Sequence, residues 1–290
     1  MSAVIAAKAK TISQLLADAA QCLVHTDSPR LDAEVLLAHA LKQPRRFFYA
    51  HPEFIPDVAT LVQFSALLAQ RADGVPVAHL TGTREFWSLP LKVSADTLIP
   101  RADTERLVEV VLDLFSEKKA LSLLDLGTGT GAIALAIASE RPQWQVTGVD
   151  LIAAAVGLAQ ENAARLVIHN AQFFQSDWFA ALQKNPGPQR FDIIVSNPPY
   201  IAPDDEHLQQ GDLRFEPHTA LVAKQNGLAD LEKIIADAKT FLNSNGFLFL
   251  EHGWQQAEQV CELFHQHGYV AIKTWQDYGG NDRVTGGQRP

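Results

Sequence analysis

Leu124-Asp125-Leu126-Gly127-Thr128-Gly129-Thr130-Gly131 is the stretch that decides the fold of this chain. A short apolar strand runs into three alternate glycines, and an apolar helix follows over 131–140. Glycine lets a backbone turn tightly and come close to a ligand. The helix start adds unpaired N–H groups and the positive end of a dipole. A strand, a glycine turn and a helix in that order are the opening of a nucleotide-type ligand site in an α/β sheet.

Outward from this unit, apolar strands alternate with helices. Strands are expected at 121–126, 144–149, 172–176, 191–196, 246–251 and 268–275, and helices at 103–117, 131–140, 152–166, 228–242 and 254–267. That alternation predicts a mainly parallel sheet covered on both faces, with ligands beyond the C-terminal strand ends. Upstream, 84–99 reads as a hairpin turning at Leu89-Pro90. Residues 11–80 read as a small helical bundle. Thr11 and Gln14 form a capping box before Ile12, Leu15, Leu16, Ala19 and Leu23. Ser28-Pro29 caps a helix carrying Leu31, Val35, Leu37 and Leu41, and Asp57 opens another with Leu61, Phe64, Leu67 and Leu68 on one face. The expected domains are 1–80 (a helical bundle), 81–99 (a hairpin linker) and 100–290 (the α/β part).

Composition agrees with two units. The 290 residues are 47% hydrophobic and 20% charged, which suits a packed core and excludes a disordered chain. The net charge is -9. Residues 1–86 hold 8 basic and 8 acidic side chains, so the remaining 16 and 25 place the whole imbalance after them. An acidic larger part argues against affinity built on phosphate neutralisation, so no stable nucleic-acid partner is expected. Cys22 and Cys261 lie far apart with no Cys-x-x-Cys pair, which fits a reducing cytoplasm. No apolar run reaches the roughly 20 residues that span a bilayer, and Met1–Lys8 is too short in apolar core for a secretory signal.

The glycine loop leaves its ligand open. Gly127-x-Gly129-x-x-Ala132 matches a loose dinucleotide fingerprint, whereas Gly127-x-Gly129-x-Gly131 suits S-adenosylmethionine. Asp150 ends the second strand and can accept both ribose hydroxyl protons. Asp177 and Trp178 follow the third strand, where an acid and an aromatic can bracket an adenine.

The fourth strand runs into Asn197-Pro198-Pro199-Tyr200. Two prolines remove two N–H donors and fix the backbone. The Asn197 side-chain oxygen and the Pro198 carbonyl can then converge on one acceptor-lined spot, with Tyr200 as an aromatic wall. Such a spot suits a planar –NH2 group, which has two protons to give. An amide nitrogen is a poor nucleophile because its lone pair is delocalised. Two acceptors orient it, and their bonds strengthen as positive charge builds on nitrogen.

With these segments the chain resembles the amino-methyltransferases that act on planar nitrogens, and within them the release-factor glutamine methyltransferase family. The resemblance runs through Gly74-x-Pro76 and Gly82, Ile99-Pro100-Arg101-Ala102-Asp103-Thr104-Glu105 and Asp125–Gly131. It continues through Asn197–Tyr200, Phe215-Glu216-Pro217, Leu250-Glu251-His252-Gly253 and Asp282-Arg283-Val284. It implies a Rossmann-like S-adenosylmethionine-dependent catalytic domain behind a helical substrate-recognition domain. It implies N5-methylation of the glutamine in the Gly-Gly-Gln motif of class 1 peptide release factors; a monomer in the cytoplasm is expected. It places cofactor binding on Gly127, Thr128, Gly129, Thr130, Gly131, Asp150, Trp178 and Asn197, to which the strand-end reading adds Asp177, and substrate binding on Asn197, Pro198, Pro199 and Tyr200, with catalysis expected of Asn197, Pro198 and Tyr200. Ala102 stands where the family usually has proline. The Ile-Pro-Arg segment differs from that of the ribosomal-protein glutamine methyltransferases.

An adenine-N6 or guanine-N2 methyltransferase would share Asn-Pro-Pro-Tyr, but the -9 charge disfavours it. A nicotinamide oxidoreductase leaves that tetrapeptide unexplained, and a non-catalytic binding module leaves the acceptors at four strand ends unexplained. None of the ten histidines makes a metal pattern. Glu251 and His252 read as structural hydrogen-bonding groups, Asp204-Asp205-Glu206 as a solvated loop, and Arg101 as either a ligand contact or an ion pair. Gly286-Gly287-Gln288 reads as an exposed tail that repeats the substrate tripeptide, with pseudosubstrate binding as its sharpest reading and chance as the plainer one.

Overall fold

The computed structural model describes residues 10–115, 119–182, 190–209 and 211–290. Both Met1–Lys8 and the expected end of the helix at 117 lie outside the described residues. The chain forms two compact units, residues 1–82 with 207–215, and residues 83–206 with 216–290.

In the first unit, α1 (Ile12–Cys22) carries the capping box of Thr11 and Gln14 and buries Ile12, Leu16 and Ala19. Then come α2 (Pro29–Leu41), α3 (Arg46–Ala50), α4 (Val58–Ala72) and α5 (Val77–Thr81). Two of these, α3 and α5, are five-residue helices too short for a periodicity to reveal. Asp57 caps α4 by accepting from the Thr60 N–H at 2.8 Å. Ser28 makes no such cap; its hydroxyl donates to Asp32 instead.

The expected face of α2 is corrected. Leu36, Leu37, Ala33 and Ala40 are buried, whereas Leu31 is 43% exposed. The reason is charge. Asp32 and Glu34 turn inward, Asp32 to Arg71 at 2.8 Å and Glu34 to Arg45 at 2.6 Å. Buried carboxylates with such partners escape the full desolvation penalty, and they displace the simple apolar stripe. Arg71 also reaches Asp212 at 3.0 Å, which ties 207–215 to this unit.

The second unit opens with a hairpin, β1 (Thr83–Phe86) and β2 (Leu89–Lys92), in which Glu85 pairs with Pro90. The turn is Trp87-Ser88, with φ of 52° and 59°, and not Leu89-Pro90. Two successive left-handed residues match the twist of a two-residue hairpin. Pro90 is tolerated within β2 because a two-stranded sheet leaves its missing N–H facing outward. A 3-10 turn (Ala102–Thr104) leads into α6 (Glu105–Leu114).

The main sheet takes β3 (Ser122–Leu126), β4 (Gln145–Asp150), β5 (Ala171–Gln175), β6 (Phe191–Ser196), β7 (Leu242–Glu251), β8 (Val270–Gln276) and β9 (Asp282–Gln288) in the order β5-β4-β3-β6-β7-β9-β8. The first five are mutually parallel, and β9 runs antiparallel to both of its neighbours. Helices α7 (Ala132–Glu140), α8 (Ala153–Leu166), α9 (Ala229–Phe241) and α10 (Ala257–Gln266) complete the unit. Strand alternation sorts the core. Leu123, Ile193, Val195 and Phe249 join α6, α7 and α8 on one face, while Leu124, Ile194, Leu248 and Leu250 join α9 and α10 on the other. Strand order reverses between β3 and β6, where such sheets open a crevice.

The strand β9 was not expected, and it contains Gly286-Gly287-Gln288. These residues are no exposed tail, which removes the basis for a pseudosubstrate. Gly286 pairs with Phe249 and Gly287 with Leu248. A Cβ on Gly286 would lie 2.4 Å from the Phe249 ring, and one on Gly287 2.6 Å from Phe264. Both glycines are therefore packing residues. Gly287→Ala is expected to cost about 1–3 kcal/mol of unfolding free energy, as overpacked cores do. Chemical denaturation checks this, and an unchanged midpoint would contradict the packing.

Candidate active site

Four strand ends converge on one cavity of about 460 Å³, within the range of small-molecule sites. Its walls include Gly127, Thr128, Gly129, Thr130, Asp150, Asp177, Trp178, Asn197 and Pro199. Gly131, Pro198 and Tyr200 are not on that wall.

The loop after β3 is shaped by backbone conformation. Gly127, Gly129 and Gly131 have φ of +68°, +54° and +82°, a region costly for any other residue. Gly131 is the N-cap of α7 and packs where a Cβ would come 3.1 Å from Ala159, so its role is close packing. Facing Gly127, the Trp178 ring lies 3.5 Å from where a Cβ would be. Asp150 grips the loop: Oδ2 accepts from the Gly129 N–H at 2.8 Å, and Oδ1 from the Ile152 N–H at 2.9 Å. Each oxygen keeps a lone pair for a further donor. Thr128 donates to Asp125 Oδ2 at 2.7 Å. Asp125 is fully buried, and burial pushes its carboxyl up to about 7.

Asp177 is exposed and pairs with Lys233 at 3.3 Å. Arg101 is paired with the buried Glu216, which also accepts from the Ile99 N–H at 3.1 Å; its ion-pair reading is the one observed. With both wall cations so engaged, Asp96, Asp150 and Asp230 leave the cavity acidic, an environment that favours a positively charged ligand.

Asn197 begins the segment after β6. Its Nδ2 donates to the Thr104 hydroxyl at 3.2 Å, and among the described residues its Oδ1 takes no hydrogen bond. The amide thus turns an acceptor free for the cavity. Tyr200 is largely buried against the α9–α10 side of the core, and its hydroxyl donates to Glu251 Oε1 at 3.3 Å. Burial and the nearby Glu251 charge raise the Tyr200 phenol well above its ordinary range. His252 is buried as a structural group, its ring nitrogens on the Gly253 carbonyl and the Thr285 hydroxyl.

The sequence reading missed Thr104, Thr97, Asp230 and Lys233 as site residues. Thr104 lay inside the quoted Asp103-Thr104-Glu105 run, but a lone hydroxyl ahead of a helix reads as a cap.

Comparison with known proteins then fixes the family. A methyltransferase-domain model matches residues 117–283, and a PrmC N-terminal domain model matches residues 14–82. The chain is 56% identical to the release factor glutamine methyltransferase of Vibrio cholerae over 91% of both chains. It is 54% identical to that of Escherichia coli K12, over 94% of this chain and 97% of the other. The chain belongs to the release factor glutamine methyltransferase family. It is a methyltransferase with a Rossmann-like catalytic domain.

Among solved structures, a Pyrococcus furiosus methyltransferase aligns with TM-score 0.52 at 18% identity, covering 69% of this chain and 89% of its own. The hMettl16 catalytic domain, solved with a 3′UTR hairpin, aligns with TM-score 0.57 at 15% identity, covering 77% and 80%. At these identities the likeness is one of fold. Among the described residues of this family member, no helix is long and apolar enough to cross a membrane.

Burial also raises Glu251, to about 7 from the ordinary 4.5. The native state therefore holds a proton there that the unfolded chain has released. Between those two values the native contribution of Glu251 falls as pH rises. Glu251→Gln carries no charge to bury. Its melting temperature relative to wild type is expected to be higher at pH 8 than at pH 5. A pH-independent difference in thermal melts would contradict the buried, elevated carboxyl.

Proposed function

We propose that this methyltransferase transfers the methyl group of S-adenosylmethionine to the side-chain amide N5 of the glutamine in the Gly-Gly-Gln motif of class 1 peptide chain release factors, acting as a monomer in the cytoplasm. The observation that carries the reading is the Asn197 amide, whose donor side is spent on Thr104 and whose oxygen is left beside an acidic cavity. The named substrates of the relatives support the release-factor glutamine as the target.

The cavity suits that cofactor on three counts. Left-handed glycines admit a ligand close to the backbone, Asp150 retains acceptor capacity for ribose hydroxyls, and the acidic wall complements a sulfonium. When bound, S-adenosylmethionine supplies an electrophilic methyl group on a positively charged sulfur. Gly127 to Thr130 and Asp150 would hold the nucleoside part, with Asp177 and Trp178 at the base. The helical unit would contribute recognition of the protein substrate.

The chain's own residues then act on the glutamine amide. Asn197 Oδ1 and the Pro198 carbonyl accept its two protons, and neither Pro198 nor Pro199 offers a competing N–H. The two acceptors direct the nitrogen and favour the pyramidal form needed for attack. Their bonds strengthen as the nitrogen becomes positive, so they stabilise the transition state more than the ground state. No strong base is needed beforehand, because the methylated nitrogen is acidic enough to lose its proton afterwards. Tyr200, held by Glu251, stiffens the segment that presents these acceptors.

Labelled cofactor incubated with purified release factor, a Gln→Ala factor, ribosomal protein and DNA tests the reading. Label is expected on the intact factor alone; label on DNA but not on the factor would overturn it. Asn197→Ala is expected to lower kcat by about 10²–10³-fold, as loss of one transition-state hydrogen bond does. Cofactor affinity should stay close to wild type, and near-normal turnover would refute the role. Asp150→Ala is expected to weaken calorimetric cofactor binding by about 10- to 100-fold, the worth of a charged hydrogen bond. Unchanged affinity would contradict the assignment.

A further inference from the structure

Glu251 closes β7 at its C-terminal end, fully buried, in a place where the chemistry above asks nothing of it directly. Its Oε1 accepts from Tyr200, and its Oε2 takes no hydrogen bond among the described residues. Ser196 pairs with Leu250, so Asn197 and Glu251 follow on neighbouring strand ends, and the buried Thr104 hydroxyl that holds Asn197 favours the ionised form of the carboxyl. The oxygen of that hydroxyl accepts from Asn197 Nδ2 at 3.2 Å.

A hydroxyl has one proton to give. While its oxygen accepts from Asn197, that proton is available to the Glu251 carboxylate. The chain of donors then runs one way, from Asn197 to Thr104 to Glu251. In that direction alone does Asn197 turn its oxygen to the cavity and its NH2 away.

We propose that Glu251 is a positioning residue that orders the Thr104 hydroxyl and thereby fixes the Asn197 amide with its oxygen toward the substrate nitrogen. The inference rests on the functional reading above and adds to it a second tier of residues. A neutral Glu251 carries a proton of its own, and giving it to the Thr104 oxygen reverses the chain. Thr104 then accepts from Glu251 and donates to Asn197 Oδ1, and the turned amide presents NH2 to a substrate NH2. Two donors face each other, and the acceptor site is lost.

The groups facing Glu251 come from three directions. Tyr200 follows β6, Asp103 precedes α6, and Arg283 lies on β9, pairing also with Asp277 at 3.1 Å. His252, next in the chain, turns its ring to Gly253 and Thr285. Arg283 and Tyr200 favour the carboxylate, Asp103 opposes it, and burial outweighs them all, so the group titrates at about 7. The sign follows: the productive orientation is present above that pH and lost below it.

The full-length enzyme, with Thr104→Val, Thr104→Ser and Glu251→Gln, tests this by three readouts. They are kcat on release factor, cofactor affinity by calorimetry, and the side-chain amide NMR resonances of Asn197 followed through pH 7. Thr104→Val and Glu251→Gln are expected to lose about 10²-fold in kcat, the scale of a misplaced reacting group, with cofactor affinity little changed. Thr104→Ser should restore most of it. Wild-type kcat should fall on the acid side with a midpoint near that of the Asn197 resonances, and both features should vanish in Glu251→Gln. Wild-type turnover in Thr104→Val and Glu251→Gln, equal losses in the serine and valine variants, or Asn197 resonances indifferent to pH would overturn the proposal. Asn197 resonances that follow Glu251 in an enzyme that transfers no methyl to the factor would uphold the network and overturn the functional reading instead.

Discussion

The hydrogen bond from Asn197 Nδ2 to Thr104 is the constraint on which the site depends. An asparagine amide has a donor end and an acceptor end of nearly the same shape, so its chemistry is decided by what holds it. Thr104 holds the donor end. Thr104 is placed by the 3-10 turn that enters α6, Asn197 by the end of β6, and Glu251 by the end of β7. Three elements distant in sequence thus meet at the C-terminal edge of one sheet. A loop alone could not keep that geometry; strands packed on both faces by α6–α8 and by α9–α10 can.

The same sheet shows two uses of glycine. At Gly127 and Gly129 the residue frees backbone conformation beside the cavity. At Gly286 and Gly287 it yields space to aromatic rings across the sheet. The second use explains why a Gly-Gly-Gln tripeptide in this chain is a strand and not a mimic of a substrate loop. It also shows how the antiparallel β9 inserts between β7 and β8, where bulkier residues would force Phe249 and Phe264 out of the core.

Legibility followed the physics of each signal. The glycine loop, the acid closing β4 and the Asn-Pro-Pro-Tyr segment stood out because each breaks an apolar strand in a way that demands a chemical reason. Strands β3 to β8 were legible from short apolar runs. The β9 strand was not, since Gly286-Gly287-Gln288 offers no apolar alternation and its stability lies in its neighbours. The hairpin turn was misplaced because Pro90 is a strong turn signal, and the structure uses Trp87-Ser88 in left-handed conformation instead. Helix α2 misled because Asp32 and Glu34 face inward to arginines from other elements, a pairing that no local pattern reveals. Thr104 escaped for the same reason, as its partner Asn197 lies far along the chain.

The central claim is that an oriented Asn197 oxygen and the Pro198 carbonyl together receive a glutamine amide. A crystal structure of the enzyme with S-adenosylhomocysteine and a Gly-Gly-Gln peptide measures it most directly. The account predicts the peptide's amide nitrogen about 2.7–3.2 Å from both oxygens, with Asn197 Nδ2 still on Thr104. An amide nitrogen held elsewhere, or an Asn197 turned to place its NH2 toward the peptide, would contradict it.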